Sequence, residues 1–261
     1  MRESIIFIHG LTGTKRAFKK QIEYFNQDYH TYTYDLLGHG EHIGKHVHFT
    51  LDNLVKQLEE FYNQNGIKEA HICSLSYSCY PSAIFANKWK KRVKSLCFIG
   101  GHYNAPSRLL DVLRFYWETR NEDYDTWLKK YSNDLYPKES ILDPYSAISK
   151  KIYYKFGLKL DDQILRNAIG HRLNYDLRSQ LAGFSIPVLW VMGEHDSLYK
   201  STLTELKSII PHVIYKEIRH AGHAANLFRP SCFREVYENF LVHHTMEKTN
   251  QQKMLNIISS C

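Results

Sequence analysis

Short apolar runs of strand length alternate with longer amphipathic segments along most of this chain, and that alternation restricts its fold more than any other feature. Residues 4–8 (SIIFI), 30–36 (HTYTYDL), 69–75 (EAHICSL), 93–99 (VKSLCFI), 187–192 (PVLWVM) and 212–218 (HVIYKEI) have the length and the β-branched and aromatic content of strands. Residues 15–26, 50–64, 77–90, 200–210 and 230–244 read as helices. In 50–64, Leu51, Leu54, Val55, Leu58 and Phe61 share one face behind Thr50 or Asp52 as a cap. In 77–90, Pro81 must lie in the first turn, where its missing N–H is tolerated, and Pro230 stands near the start of the last helix. Strands that alternate with helices connect in parallel and leave helices on both faces of the sheet. The expectation is an α/β fold with a mostly parallel sheet of about six strands.

The pattern lapses from 103 to 182. That stretch is aromatic-rich, contains no good strand, and reads as several short helices broken at Pro106, Pro137, Pro144 and Gly157. It predicts a helical cap (103–182) inserted after the fourth strand of a core made of residues 1–102 and 183–261. An insertion there sits over the strand C-termini, where ligands of open α/β sheets bind. Residues 246–261 are polar and read as frayed, although Met254, Leu255, Ile257 and Ile258 could dock on the body.

Composition narrows the classes of function. With 43% hydrophobic and 23% charged residues the chain is an ordered globular protein. A net charge of +7, from 34 basic and 27 acidic side chains, calls for no nucleic-acid partner. The densest basic stretch (Lys88, Lys90, Lys91, Arg92, Lys94) falls where a helix should end, and cations are favoured at that end of a helix dipole. No segment approaches the roughly 20 apolar residues of a membrane span, and the apolar run Ile5-Ile6-Phe7-Ile8 is too short for a signal peptide. The five cysteines are odd in number and none has CxxC spacing; Cys73, Cys79 and Cys97 fall in or beside core-like runs. These features predict a soluble protein of a reducing, cytoplasmic compartment.

Four loops carry candidate chemistry. Ser74-Leu75-Ser76-Tyr77-Ser78 joins a strand to a helix. A serine on so tight a turn is exposed above the sheet and needs small residues two before and two after it; the usual G-x-S-x-G here has serine for both glycines. His9-Gly10-Leu11-Thr12-Gly13, after the first strand, can aim a backbone N–H at a developing oxyanion, or can simply be a turn that needs glycine. Gly193-Glu194-His195-Asp196 can supply a carboxylate that orients a histidine, or a helix cap. His220-Ala221-Gly222-His223 can supply a general base with an ordinary pKa near 6.5.

Serine, then acid, then histidine, each directly after a strand, is the α/β-hydrolase arrangement, and the sequence resembles that superfamily in its carboxylesterase, lipase and C–C hydrolase branches. Phe7-Ile8-His9-Gly10 resembles the family's oxyanion strand and loop, and Asp35-Leu36-Leu37-Gly38-His39-Gly40 its D-x-x-G-x-G turn. Gly193-Glu194-His195-Asp196 and Ala221-Gly222-His223 resemble its acid and histidine loops. The resemblance covers residues 4–102 and 184–244 and does not extend to the cap; the antiparallel strands that usually precede the oxyanion strand are not represented.

The resemblance implies an α/β-hydrolase fold with Ser76 as nucleophile, His223 as base, Asp196 as its orienting acid, and the backbone N–H groups of Leu11 and Tyr77 as oxyanion donors. His220 is the rival base and Glu194 the rival acid; His223 is preferred because it follows a glycine in the loop, whereas His220 can still belong to the strand end. His9, Tyr103, Phe115, Tyr116 and Trp117 are the candidate lining of an apolar pocket, with Tyr124 and Trp127 nearby as packing residues. Asp35, Gly38 and Gly40 read as structural. His39, His42, His46 and His48 read as an exposed loop and not a metal site.

The implied reaction is hydrolysis of an ester, thioester or similar acyl bond of a small, partly apolar substrate through an acyl-enzyme. It needs water and no cofactor. The same triad would serve acyl transfer or C–C cleavage, and the fold would serve a non-catalytic receptor or partner-binding protein. Substrate identity and oligomeric state stay open.

Overall fold

The computed structural model describes residues 2–138 and 143–243. In chain order the core elements are β1 (Ser4–Ile8), α1 (Lys19–Phe25), β2 (His30–Tyr34), α2 (Leu51–Gln64), β3 (Ala70–Leu75), α3 (Cys79–Lys88) and β4 (Val93–Ile99). Five helices follow: α4 (Arg108–Glu118), α5 (Tyr124–Leu135), α6 (Tyr145–Gly157), α7 (Asp162–Asn174) and α8 (Arg178–Ala182). The chain returns to the sheet with β5 (Val188–Gly193), two single turns α9 (Ser197–Lys200) and α10 (Leu206–Ile209), β6 (Ile214–Ile218) and α11 (Ala225–Phe228). Residues 230–243 are again helical. The expected tail, 246–261, lies outside the described residues.

The six strands form one sheet in the order β2-β1-β3-β4-β5-β6, with every neighbouring pair parallel. Successive side chains of a strand point to opposite faces. Ile6 and Ile8, Ile72, Leu96 and Phe98, and Trp190 and Met192 therefore enter one core, against Leu54, Leu58 and Tyr62 of α2 and Tyr80 and Ala83 of α3. Ile5 and Phe7, Cys73 and Leu75, Cys97 and Ile99, and Leu189 and Val191 enter the other, against Phe18, Phe25, Phe233, Tyr237 and Phe240. Burial on both faces is why these strands read as unbroken apolar runs. Cys73 and Cys97 are partners across β3 and β4, and both are buried free thiols, as is Cys79.

Polar side chains set the element boundaries. The Thr50 hydroxyl accepts the Asn53 N–H at 3.2 Å, so Thr50 is the cap of α2. Beyond α3, Arg92 lies over the Tyr62 ring and Lys94 pairs with Glu3 and Glu69, which accounts for part of the basic stretch. No helix among the described residues is long and apolar enough to cross a membrane.

Several boundaries differ from expectation. The helix expected over 15–26 begins as a 3-10 turn, Lys15–Phe18. β2 ends at Tyr34, because the Leu36 N–H leaves the ladder and donates to His9 Nε2 at 3.0 Å. The helix expected over 200–210 is only the turns α9 and α10. Between them the Glu205 N–H donates at 3.2 Å to the Tyr103 hydroxyl, a partner from outside the segment that displaces the helical bond.

His9 is fully buried. Its Nδ1 lies 2.8 Å from Gly10 O, where an N–H must donate, and this leaves Nε2 as acceptor for Leu36. Burial pushes its pKa down to about 4, and that of His39, which packs against its ring, to about 3. Both values lie below those of the unfolded chain, so as pH falls the unfolded chain takes up protons first. Their contribution is complete above about pH 6.5 and is lost on acidification through the folded values. We expect the unfolding free energy, from urea titrations at pH 8 to 4, to fall by on the order of 3 kcal/mol per histidine below pH 6.5. A His9→Asn variant should show a shallower slope, and an unchanged slope would contradict this reading.

Candidate active site

The strand order reverses between β1 and β3: β1 is followed by β2 on one side, and the chain then crosses to place β3 on the other. Ligands of such sheets bind beyond the strand C-termini at this switch point. The loop after β1 and the turn after β3 meet there. Ser76 follows β3 at φ 56°, a left-handed conformation costing a non-glycine residue about 1–3 kcal/mol. The surrounding hydrogen bonds hold it. The Ser78 hydroxyl donates to Ile8 O at 3.0 Å and Leu75 O at 2.9 Å, and the Ser74 and Ser82 hydroxyls lie 2.6 Å apart. Thus the serines that replace the two usual glycines each hold a buried hydrogen bond.

Gly10 allows the other loop to approach. A Cβ there would lie 2.9 Å from Leu75 O and 3.2 Å from Ser76 Cβ, so a side chain would push the two loops apart. Leu11 follows on the cavity wall. The Tyr77 ring turns away into the core beside Phe49, and its hydroxyl lies 2.7 Å from His171 Nδ1. Its backbone N–H begins the helical segment after the serine, the positive end of the helix dipole.

The acid and histidine loops are bound to each other. Glu194 N–H donates to Ile218 O at 3.0 Å and His195 N–H to Ala221 O at 2.9 Å. His223 Nδ1 lies 2.9 Å from Asp196 Oδ2, and His223 Nε2 lies 2.8 Å from Ser76 Oγ. A carboxylate only accepts, so Nδ1 carries the proton and Nε2 receives the serine O–H. Burial pushes the Asp196 carboxyl up from its ordinary value, opposed by His223 and Lys200. The imidazole stacks on Tyr199 with ring centres 3.8 Å apart. A serine hydroxyl bonded to an imidazole that is held by a buried carboxylate can lose its proton as it attacks a carbonyl.

The rival residues are placed elsewhere. The His220 side chain is 70% exposed, and its backbone N–H donates to Glu194 Oε2 at 2.7 Å. Asp35 ties its loop together, accepting the Lys15 and Glu41 N–H groups at 2.6 and 3.2 Å. The histidine-rich loop is not exposed throughout as expected: His39 is fully buried against Phe49, while His46 and His48 are exposed and touch each other. Among the described residues the possible metal-ligand atoms that converge, within 4.8 Å of one another, belong instead to Glu194, His195 and His220.

Ser76 and His223 open onto a cavity of about 110 Å³. Its walls come from Leu11, Leu75, Leu227 and Phe228 of the core and from Tyr136, Ile152, Tyr153 and Arg172 of the segment between β4 and β5. The five expected lining residues are not on it. His9 is locked between Gly10 and Leu36. Tyr103 packs on Trp190, Tyr116 on Trp127 and Tyr131, and Trp117 under Gly170, while Phe115 is 53% exposed. Aromatic content marked the right segment, but which face of each helix turns inward depends on how the five helices pack. Arg172 carried a legible signal: it continues the buried stripe Ile164, Leu165, Ala168, Ile169 of α7, where a charge is out of place.

Gly100 also positions His223. It has φ +57°, and a Cβ would lie 2.8 Å from His223 Cε1. Gly66 has φ +63° with nothing within 4 Å. Gly66→Ala should cost only the left-handed strain, about 1–2 kcal/mol. Gly100→Ala should exceed it by at least about 1 kcal/mol from overpacking. Urea denaturation of both variants measures the difference, and equal costs would show that the histidine loop is not packed on Gly100.

A family model described as alpha/beta hydrolase fold matches residues 3–230. A Bacillus subtilis protein named as an uncharacterized carboxylesterase is 22% identical over 249 residues, which span 90% of this chain and 78% of the relative. The 3-oxoadipate enol-lactonase 2 of Acinetobacter baylyi is 21% identical over 255 residues, covering 91% of this chain and 88% of its own. Among solved structures, that of a bromoperoxidase from Bacillus anthracis superposes with a TM-score of 0.76 at 17% identity over 92% of each chain, a likeness of fold. With the family match running through all six strands and the relatives spanning nearly the whole chain, the protein belongs to the α/β-hydrolase fold family and is a hydrolase.

Proposed function

We propose that the protein is a serine hydrolase that cleaves an ester, thioester or related acyl bond of a small, partly apolar substrate through an acyl-enzyme. The observation that carries this reading is the unbroken hydrogen-bond chain from Ser76 through His223 to Asp196, opening onto a largely apolar cavity. Ser76 Oγ attacks the acyl carbon as its proton passes to His223 Nε2, which then protonates the departing oxygen or sulfur. Asp196 keeps the other imidazole nitrogen protonated and stabilises the imidazolium. Water resolves the acyl-enzyme with His223 as base.

The backbone N–H groups of Leu11 and Tyr77 are the proposed oxyanion donors. The close approach at Gly10 and the helix start after Ser76 favour these positions. Residues 103–182 are the proposed cap, whose Tyr136, Ile152 and Tyr153 would exclude water from the acyl group. Relatives named carboxylesterase and enol-lactonase support an acyl–oxygen bond as the target. An engineered apolar cavity of about 150 Å³ takes up benzene, so a cavity of about 110 Å³ suits a short acyl chain.

p-Nitrophenyl esters test the assignment. Acetyl to butyryl esters should be preferred over octanoyl. Ser76→Ala should lower kcat by on the order of 10⁴ or more, Asp196→Asn by roughly 10⁴, and His220→Ala by less than about threefold. Wild-type turnover in Ser76→Ala would refute the assignment.

A further inference from the structure

Arg172 stands on the wall of the cavity that holds Ser76, yet it is only 2% exposed. An arginine stays protonated in proteins, so the cavity wall carries a full positive charge. Such a charge is expensive to bury unless an acid answers it. None does among the described residues. The cavity wall contains no aspartate or glutamate, and the guanidinium's neighbours include the tyrosines Tyr131, Tyr153, Tyr199 and Tyr80, the Tyr77 ring 6.0 Å away, and the buried His102. Arg172 Nε donates to Ala168 O at 3.0 Å and Nη2 to the Tyr131 hydroxyl at 2.7 Å. These bonds fix the plane of the guanidinium. They leave Nη1 without an acceptor among the described residues. Tyr153, 5% exposed and on the same wall, has a buried hydroxyl that makes no well-formed hydrogen bond and has the Tyr131 hydroxyl as its neighbour. One buried cation and one hydroxyl without a well-formed acceptor thus face a small, largely apolar space that also contains the serine.

We propose that Arg172, with Tyr153, receives a free carboxylate of the substrate, so that the substrate is an acid that also carries the acyl bond to be cleaved. This rests on the hydrolase reading of Ser76. A carboxylate supplies the missing acceptor for Nη1 and for the Tyr153 hydroxyl, and it neutralises the buried charge. A guanidinium suits it because its donors lie in a fixed plane. Arg172 then selects the substrate by charge, while Leu11, Ile152 and Phe228 hold its apolar part.

The test compares charged with neutral esters of similar shape. One pair is mono-p-nitrophenyl glutarate against p-nitrophenyl valerate, with the charge on the acyl side. The other is 4-butyryloxybenzoate against phenyl butyrate, with the charge on the leaving group. In the wild type, kcat/KM for the charged member of one pair should exceed that of its neutral partner by at least about 10-fold, the scale of a charge-assisted hydrogen bond. Arg172→Met should reduce that ratio at least about 10-fold, and Arg172→Lys should retain part of it. The ratio uses the neutral ester as its own control, so a general loss of activity does not mimic the effect.

In the unaltered protein, glutarate should compete with the neutral ester, and pentane-1,5-diol at the same concentration should not. Ratios near one for both pairs, or a ratio that survives Arg172→Met, would overturn the proposal. If no ester is turned over, the hydrolase reading fails separately. Calorimetric binding of glutarate to Ser76→Ala then decides the carboxylate site by itself: uptake supports it, and no uptake overturns it.

Discussion

The contact between the turn at Ser76 and the loop at Gly10 is the constraint on which the site depends. Both segments leave the sheet at the switch point between β1 and β3. They can touch only because Gly10 has no side chain and because Ser76 accepts a left-handed backbone. The sheet supplies rigidity beneath them, since β1 and β3 are paired over residues 5–8 and 71–74 and buried on both faces. The histidine and acid loops reach the same place through β5 and β6, with backbone bonds that hold one loop to the other. Each side chain of the Ser76–His223–Asp196 chain is therefore placed by a strand end, and none depends on a long flexible segment.

Several features of the site oppose stability. A serine at positive φ, a buried carboxylate at Asp196 and a buried guanidinium at Arg172 each cost free energy in the free protein. Dense aromatic packing surrounds them. Tyr199 stacks on His223, and Tyr116, Trp127 and Tyr131 pack together within the segment between β4 and β5. Such rings bury large apolar areas and hold their neighbours in fixed geometry. The strain is concentrated where the chemistry is proposed, and the packing that offsets it is local.

Much of the fold was legible because burial on both faces of a parallel sheet writes itself as short apolar runs. β1, β3, β4 and β5 appear where those runs lie, and the half-exposed edge strands β2 and β6 where β-branched and aromatic residues marked them, all with ends within two residues of expectation. The site loops were legible for a related reason: a residue placed by a strand end can be found from the strand. What the sequence did not show was orientation within the segment between β4 and β5. Tyr103 and Tyr116 are as aromatic as Tyr136 and Tyr153, and only the packing of α4 to α7 decides which pair faces the cavity. The helix expected over 200–210 failed for a similar reason, since the Tyr103 hydroxyl that breaks it comes from about a hundred residues away. Arg172 was not anticipated either, although a charge on an apolar helical stripe can be noticed without knowing what it faces.

Activation of Ser76 by His223 and Asp196 can be read out covalently. Intact mass after exposure to a fluorophosphonate probe reports an activated serine without any assumption about substrate. We expect a single adduct on the wild type, mapped to the peptide that holds Ser76, and none on Ser76→Ala. A well-folded wild type that stays unlabelled, or a Ser76→Ala variant that labels equally, would contradict it.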